Sequence, residues 1–507
     1  MEETLLNILL VYPEYPDTFW SFKHALRFVS KKAAFPPLGL LTVAAMLPKE
    51  WKKKLVDMNV QTLTDRDIEQ ADFVFISAMS VQRESAHQVI KRCRKLGIKT
   101  VAGGPLFTSA AEEFDDIDHL VLNEAEITLP LFLNDIEKHN PGHIYTSTEK
   151  PELDNTPIPV WDLIDIRKYS SINIQYSRGC PFDCEFCDII VLNGHRPRTK
   201  GKEQLLRELD AVYDRGWRRG SVFIVDDNFI GNKKKLKAET LPAIAAWMKR
   251  KRYPFTLLTE ASINLADDDE LMSLMVKANF NMVFVGIETP NESSLVECGK
   301  YNNENRDMVA DIKKLQNYGL QVQGGFILGF DNDDPASIFE SLIAFIQKSG
   351  IVTAMVGLLN APRDTRLYKR LSKENRLRTV FSGNNTDFSM NFIPKMNMNT
   401  LVAGYSKVVR TIYSPKQYYE RVILFLREYH PARRKMSRVR NEDIAALIKS
   451  LFILGIKEAG RQHFWKLIAW TLARRPRSFQ LSITLAIYGF HFRKIAEGHK
   501  PSPLANY

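Results

Sequence analysis

The sequence predicts an α/β protein in three parts: an N-terminal doubly wound, Rossmann-like domain, a partial (β/α)6 TIM-like barrel and a helical C-terminal region. Three observations predict this. Short apolar runs alternate with amphipathic segments over residues 1–150, six more such runs alternate with long helical patterns over 171–370, and strand-like runs cease after about residue 371. Strand–helix alternation with turn residues at the carboxyl ends of strands marks parallel α/β sheets, whose ligands sit beyond those ends. At 507 residues the chain is too long for one ordinary core, so division into domains is expected.

In the first part, Asn7–Tyr12 (NILLVY) is an apolar run that stops at Pro13, as a buried parallel strand would. Pro37-Leu38-Gly39 opens an apolar helix through Met46, and Lys54–Asp57, Phe73–Ser77, Thr100–Ala102 and His119–Leu122 read as further strands, with a helix over Gln88–Leu96. Residues 151–170, with Pro151, Pro157 and Pro159, read as a linker. The second series runs Asn173–Tyr176, Ser221–Val225, Thr256–Thr259, Met282–Gly286, Gln321–Leu328 and Ala354–Leu359. Six βα units suit a partial barrel with its chemistry at the strands' carboxyl ends. Residues 371–507 read as a helical, basic C-terminal domain.

Composition narrows the function classes. The apolar fraction of 45% is ordinary for a globular protein, and neither disorder nor a disulfide scaffold is indicated. The net charge of +11 is uneven: residues 401–507 hold 20 Lys and Arg against 6 Asp and Glu, a net +14 that leaves −3 on the 400 residues before them. A basic module on a nearly neutral body calls for an anionic partner. The five cysteines are Cys93, Cys180, Cys184, Cys187 and Cys298. Three of them fall within eight residues, which suits a metal better than disulfides. Their odd number, and a start that carries acids early, point to a reducing cytoplasm.

The three close cysteines lie in Arg178-Gly179-Cys180-Pro181-Phe182-Asp183-Cys184-Glu185-Phe186-Cys187-Asp188, a C-x3-C-x2-C loop after the first barrel strand. A four-iron cubane held by three thiolates keeps one iron open. An open iron can chelate the amino and carboxylate groups of S-adenosylmethionine (SAM). The alternative is a zinc site with Cys298 or Cys93 as fourth ligand, although neither has a close cysteine partner of the kind zinc knuckles use.

On this loop and the segments that follow in order, the chain resembles the radical SAM superfamily. Those segments are Phe223–Phe229 (FIVDDNF), Glu260 with Ser262, Gly286-Ile287-Glu288, Gly324-Gly325-Phe326 with Gly329, and Ala361-Pro362 with Thr365 and Leu367. Asp364 stands where the family often has glycine. The resemblance spans about residues 170 to 370 and implies a [4Fe–4S] cluster on Cys180, Cys184 and Cys187. It implies SAM contacts from Phe186, Asp226, Asp227, Glu260, Ser262, Gly286, Glu288, Gly324 and Gly325.

The preceding domain looks like the cobalamin-binding domain of the B12-dependent branch. The matching stretches are Leu9–Pro13, Pro36–Leu40, Asp57, Ser77–Met79, Gly103-Gly104-Pro105 and Asn123–Glu126, the last with Asn123 in place of the usual glycine. This implies cobalamin contacts from Pro37, Gly39, Asp57, Ser77, Met79, Gly103, Gly104, Glu124 and Glu126. No D-x-H-x-x-G motif offers a histidine to the cobalt. Over nearly the whole chain, Arg178–Ile190, Pro197-Arg198-Thr199-Lys200, Ser221–Asn232 and the helical tail are similar to the hopanoid C-2 methylase group.

The resemblance implies a cobalamin-dependent radical SAM methyltransferase acting on an unactivated carbon of a lipid or isoprenoid such as a hopanoid. A flavodoxin or ferredoxin is the expected electron donor. Cyclisation, ring contraction or desaturation without methyl transfer is the alternative within the class; a non-enzymatic cobalamin- or redox-sensing module is the alternative outside it. In the tail, aromatic residues lie beside Arg421, Arg427, Arg433, Arg434, Arg474, Arg475 and Arg477. Such helices cap the barrel with solvated arginines, lie in a membrane interface peripheral to its inner face, or do both. The longest uncharged run, Ser478–Phe492, is too short to span a bilayer. No RNA-binding module is evident, so nucleic acid is not the expected partner.

Overall fold

Ile8–Val11 of the first strand are buried, as a strand inside a parallel sheet must be. The computed structural model describes residues 5–378, 381–431 and 441–498. Its first sheet contains β1 (Asn7–Tyr12), β2 (Lys52–Asp57), β3 (Phe73–Ser77), β4 (Lys99–Gly103), β5 (His119–Val121) and β6 (Ile144–Tyr145). All are parallel, in the order β2-β1-β3-β4-β5-β6. The order reverses between β1 and β3, the switch point where doubly wound sheets hold ligands. The expected strands are present. The two-residue β6 is an addition, too short to carry any alternation pattern. β2 begins at Lys52, earlier than its apolar pattern suggests, because an edge strand tolerates exposed lysines.

Residues 151–170 join the domains as a packed strap. Trp161 and Tyr169 are buried, Val160 N donates to Leu41 O (3.1 Å), and Lys32 N donates to Lys168 O (2.8 Å).

The second sheet contains β7 (Ser171–Ile174), β10 (Ser221–Ile224), β11 (Thr256–Glu260), β12 (Phe280–Glu288), β13 (Gln321–Leu328) and β14 (Thr353–Leu358). They are parallel, in the order β14-β13-β12-β11-β10-β7, and the end strands do not pair, so the barrel is open on one side. A small antiparallel hairpin, β8 (Ser177–Arg178) with β9 (Arg198–Thr199), interrupts the first βα unit. It was not legible in the sequence, since two-residue strands carry no period.

The C-terminal helices are Met398–Ile412, Pro415–Glu428, Asn441–Phe452, Arg461–Arg474 and Phe479–Gly498. The last runs along the helix Lys23–Val29 of the first domain. Phe19 stacks on Phe492 at 4.2 Å, Phe28 meets Phe490 at 5.5 Å, and His491 Nε2 lies 3.1 Å from Phe19 O. Burial pushes the His491 imidazole down to about 4. The expectation that the tail arginines are all solvated fails at Arg421. It is 1% exposed, donates to Ile412 O (2.9 Å), and lies over the rings of Tyr413 and Tyr418. Arg433 and Arg434 lie outside the described residues.

Tyr418 O–H donates to Leu485 O (2.6 Å), and its ring fills the space where Gly489 has no side chain. Gly489→Val is therefore expected to overpack this seam and cost about 1–3 kcal/mol. A lower urea midpoint for the C-terminal helices, against an unchanged one for Gly498→Ala, checks it.

Candidate active site

The three-cysteine loop starts where β8 ends, and the pairing Ser177↔Thr199 and Arg178↔Arg198 closes its base. Gly179 turns the chain at φ +92°, and a Cβ there would lie 2.8 Å from the carbonyls of Arg196 and Gly194. Only glycine accepts both the left-handed backbone and the close approach. Cys180 N donates to Gly194 O (3.2 Å) and Cys187 N to Cys184 O (3.1 Å). Cys184 is buried, and Cys180 and Cys187 are half-buried. Burial pushes all three thiols up, while the Lys300 ammonium pulls each one down.

Neighbouring segments fix this loop from outside. Glu185 N donates to Cys298 O (2.8 Å), and the Glu185 carboxylate accepts from both Arg370 Nε (2.8 Å) and Nη2 (3.0 Å). Arg366 pairs with Asp183. The Cys298 thiol turns back onto Leu295 O (3.5 Å), and Cys93 is in the core of the first domain. Among the described residues no three Cys, His, Asp or Glu converge as a single tetrahedral ion requires. Three thiols on one loop can each take a different iron of a cubane, which suits this donor set.

The residues expected around SAM fall into two groups. Asp226 accepts from Tyr176 N (2.8 Å) and Ser177 Oγ (2.6 Å), and Asp227 accepts from Gly179 N (3.2 Å) and Asn193 Nδ2 (3.1 Å). Both carboxylates thus hold β8 and the loop. Burial pushes Asp226 up to about 7 despite those donors. Glu260 instead faces the large cavity, and burial together with Asp227, Asp226 and Glu288 pushes it up to about 8. Ser262 Oγ donates to Asn264 Oδ1 (2.7 Å). Phe186 packs its ring near Phe330 at 6.3 Å.

β12 ends in an irregular register, with Glu288 at φ +65°. Asn303 Nδ2 clamps the Gly286 and Ile287 carbonyls at 3.1 and 3.0 Å. Glu288 Oε1 accepts from Lys300 Nζ at 2.7 Å, and a side chain at Gly286 would collide with that pair. Burial works against the Lys300 charge, but Glu288 beside it holds the ammonium well above its usual range. Gly324 and Gly325 leave room for the rings of Phe326 and Phe284, 2.8 Å from where each Cβ would stand. Lys300 was missed by sequence reasoning, for a lone lysine in Cys-Gly-Lys carries no sign of burial.

The expected cobalamin residues also divide. Met79 is 42% exposed and lines the large cavity with Ser80 and Pro105. Pro37 and Gly39 open the helix Leu38–Met46, with open space around Gly39. Asp57 is buried against Tyr169 O–H (2.8 Å) and Asn59 Nδ2 (2.8 Å). Gly103 and Gly104 are needed internally: a Cβ on Gly103 would lie 2.6 Å from Val121 O, and one on Gly104 (φ +92°) 2.6 Å from Ser77 Oγ. Glu124 and Glu126 are engaged by the barrel. Glu124 accepts from Arg198 Nη2 (2.7 Å) and Arg178 Nη1 (2.7 Å), and Glu126 from Arg178 Nη2 (2.8 Å).

A single cavity of about 2950 Å³ joins the two sheets, with Met79, Ser80 and Pro105 on one side and Val225, Glu260 and Asp188 on the other. Ordinary ligand sites enclose roughly 300–1,000 Å³, so this one admits several large ligands at once.

Comparison with known proteins agrees with this layout. The B12-binding domain family matches residues 28–133, the radical SAM superfamily 174–345, and a domain of unknown function, DUF4070, 365–502. An uncharacterised methyltransferase of Synechocystis is 41% identical over 97% of this chain and 92% of its own. Hopanoid C-2 methylase of Rhodopseudomonas palustris is 33% identical over 98% of this chain and 95% of its own. Among solved structures, the cobalamin-dependent radical enzyme OxsB with aqua-cobalamin bound shares the fold at TM-score 0.63 and 13% identity, covering 98% of this chain and 81% of that one. TsrM of Kitasatospora setae, with cobalamin and a [4Fe–4S] cluster bound, does so at TM-score 0.57 and 14% identity, over 74% of this chain and 80% of that one.

The Lys300–Glu288 pair makes a prediction that needs no cofactor. Lys300→Met strands a buried carboxylate and should cost about 3–5 kcal/mol, while Lys300→Met with Glu288→Gln should recover most of it. Urea midpoints of the four proteins in the double-mutant cycle measure the coupling.

Proposed function

Because this chain belongs to the cobalamin-dependent radical SAM methyltransferases, we propose that it methylates an unactivated carbon of an apolar, isoprenoid-type lipid such as a hopanoid. The observation that carries the reading is the shared cavity, which sets the carboxyl ends of both sheets against one another. When bound, the cluster, SAM and cobalamin supply an electron, a 5′-deoxyadenosyl radical and a transferable methyl group. The chain's own task is alignment and exclusion of water.

In this reading Cys180, Cys184 and Cys187 would hold the cluster, and Glu260, which faces the cavity, would receive the SAM amino group. Lys300 and Glu288 form a fixed charged pair at the edge of the same site. Asp226, Asp227, Arg178 and Arg198 position the loop. Met79 and Ser80 lie on the cobalamin side of the cavity. A small electron-transfer protein such as a flavodoxin or ferredoxin supplies the electron.

The lipid assignment rests on the near full-length kinship with hopanoid C-2 methylase and on the tail. Ile444, Ile448, Phe452 and Ile456 are 46–61% exposed, at four-residue spacing along one helical face. Such a stripe, near Arg474, Arg475 and Arg477, suits a helix lying on an anionic bilayer. Among the described residues no helix is long and apolar enough to cross a membrane.

Two measurements test this reading. Methyl transfer from cobalamin uses SAM twice, so equal amounts of 5′-deoxyadenosine and S-adenosylhomocysteine should accompany product, with label from the SAM methyl in the lipid. Deoxyadenosine without the homocysteine product would replace methylation by a cyclase or desaturase reaction. Ile448→Glu with Phe452→Glu should lower binding to phosphatidylglycerol vesicles at least tenfold while leaving cobalamin uptake unchanged. Unchanged vesicle binding would remove the membrane contact.

A further inference from the structure

Strand side chains alternate, so each barrel strand turns every second residue toward the lumen. On β10 these are Ser221 and Phe223, with Val225 following; on β11 they are Thr256, Leu258 and Glu260; on β12 they are Met282 and Phe284. In a closed barrel such residues fill the interior. Here they are only partly buried, because six strands leave the wall open and nothing packs the lumen solid. The segment Phe19–Phe22 and the helix Phe479–Gly498 cover the gap without filling it: Trp20 meets Phe284 edge-on at 5.4 Å, and Ile483, Ile487 and Tyr488 face the same space.

The cavity therefore does not stop at the carboxyl ends of the strands. It continues from Glu260 to Thr256, roughly 13 Å along β11 at ~3.3 Å per residue, and leaves the barrel at the amino-terminal ends of the strands. The walls of that passage include the apolar Phe223, Leu258, Met282 and Phe284, with Phe22 and Trp20 from the covering segment, and the polar Asn173 and Gln323 on the flanking strands. Its far rim carries Arg218, Arg252, Arg474 and Arg477 against Glu442 and Asp443, and Asp443 is already paired with Arg219 (3.6 Å). Ile444 and Leu472, both exposed apolar residues of the tail, stand on that same rim.

We infer that the barrel lumen is the binding channel for an elongated apolar substrate, which enters from the bilayer at this basic, apolar rim and reaches the reacting atoms at Glu260 end-first. The channel rests on the lipid reading above but adds its route and its residues. A passage with aromatic and aliphatic walls stabilises a rod-shaped hydrocarbon by removing its area from water. Ser171, Asn173, Gln321 and Gln323 line the lumen as well, so a polar group on an otherwise apolar substrate meets hydrogen-bonding partners there. The arginine rim holds an anionic surface against the opening and keeps the substrate's exit in lipid.

The test uses the full chain and two probes. Diphenylhexatriene, a rigid apolar rod, should bind wild-type protein saturably, and Leu258→Trp or Met282→Trp should weaken it at least tenfold while cobalamin uptake and the visible cluster spectrum stay unchanged. A diazirine-bearing hydrocarbon, photolysed with wild-type protein, should label peptides containing 221–225, 256–260 or 282–284. Labelling confined to the first domain or the outer surface would overturn the channel, as would undiminished probe binding by both tryptophan variants. Lumen labelling without methyl transfer to any lipid would keep the channel and discard the methylation reading. Methyl transfer to a lipid without lumen labelling would do the reverse.

Discussion

Four charged side chains hold the two α/β units in one arrangement. Glu124 and Glu126 follow β5 of the first sheet; Arg178 and Arg198 flank the cysteine loop of the second. Glu124 and Arg198 are each only 6% exposed, so each charge depends on the opposite charges packed around it. Burying ions gains little net stability, but it specifies geometry, because a slipped interface would strand a charge. The β8–β9 hairpin is pinned through its own arginines to the end of β5. This network fixes the cysteine loop against the carboxyl ends of the first sheet, while the strap and a continuous apolar core join the two units elsewhere.

The same loop is held on its inner side by acids. Asp226 and Asp227 accept from backbone and side-chain donors of residues 176–179 and from Asn193; burial raises their affinity for protons, and those hydrogen bonds only partly offset it. Glu260 adds a third carboxylate without a counterion beside it, and Lys300 is already committed to Glu288. Burial and these neighbouring acids together raise the Glu260 carboxyl, and a cation placed beside it would lower it again.

The C-terminal helices solve a problem that the barrel creates. Six parallel strands cannot close, and the exposed inner face of β10–β12 would otherwise meet water. The helix Phe479–Gly498 and the segment around Phe19 cover it, joined by the Phe19–Phe492 stack and by His491. Covering from the side leaves the lumen hollow along its axis, whereas two more strands would have filled it. An open barrel with a helical cover is thus a different chemical object from a complete one.

The doubly wound sheet, the six barrel strands and the three-cysteine loop were legible in the chain itself. Each is local: β1 is one apolar run ended by Pro13, and Cys180, Cys184 and Cys187 share a single loop. Period and spacing are properties of neighbours in sequence, so they survive without tertiary information. Glu124 and Glu126 read as ligand contacts because a motif gives residue type but not orientation; only packing turned them onto arginines more than fifty residues away. Arg421 and Lys300 looked like ordinary surface charges, and their burial follows from which helix or turn lies over them. The hollow lumen, too, depends on how far the sheet curls and on what covers its gap. Local spacing was therefore enough for the elements and the metal-type loop. Tertiary structure alone decided which charges meet and where space remains, because both depend on contacts between residues far apart in the chain.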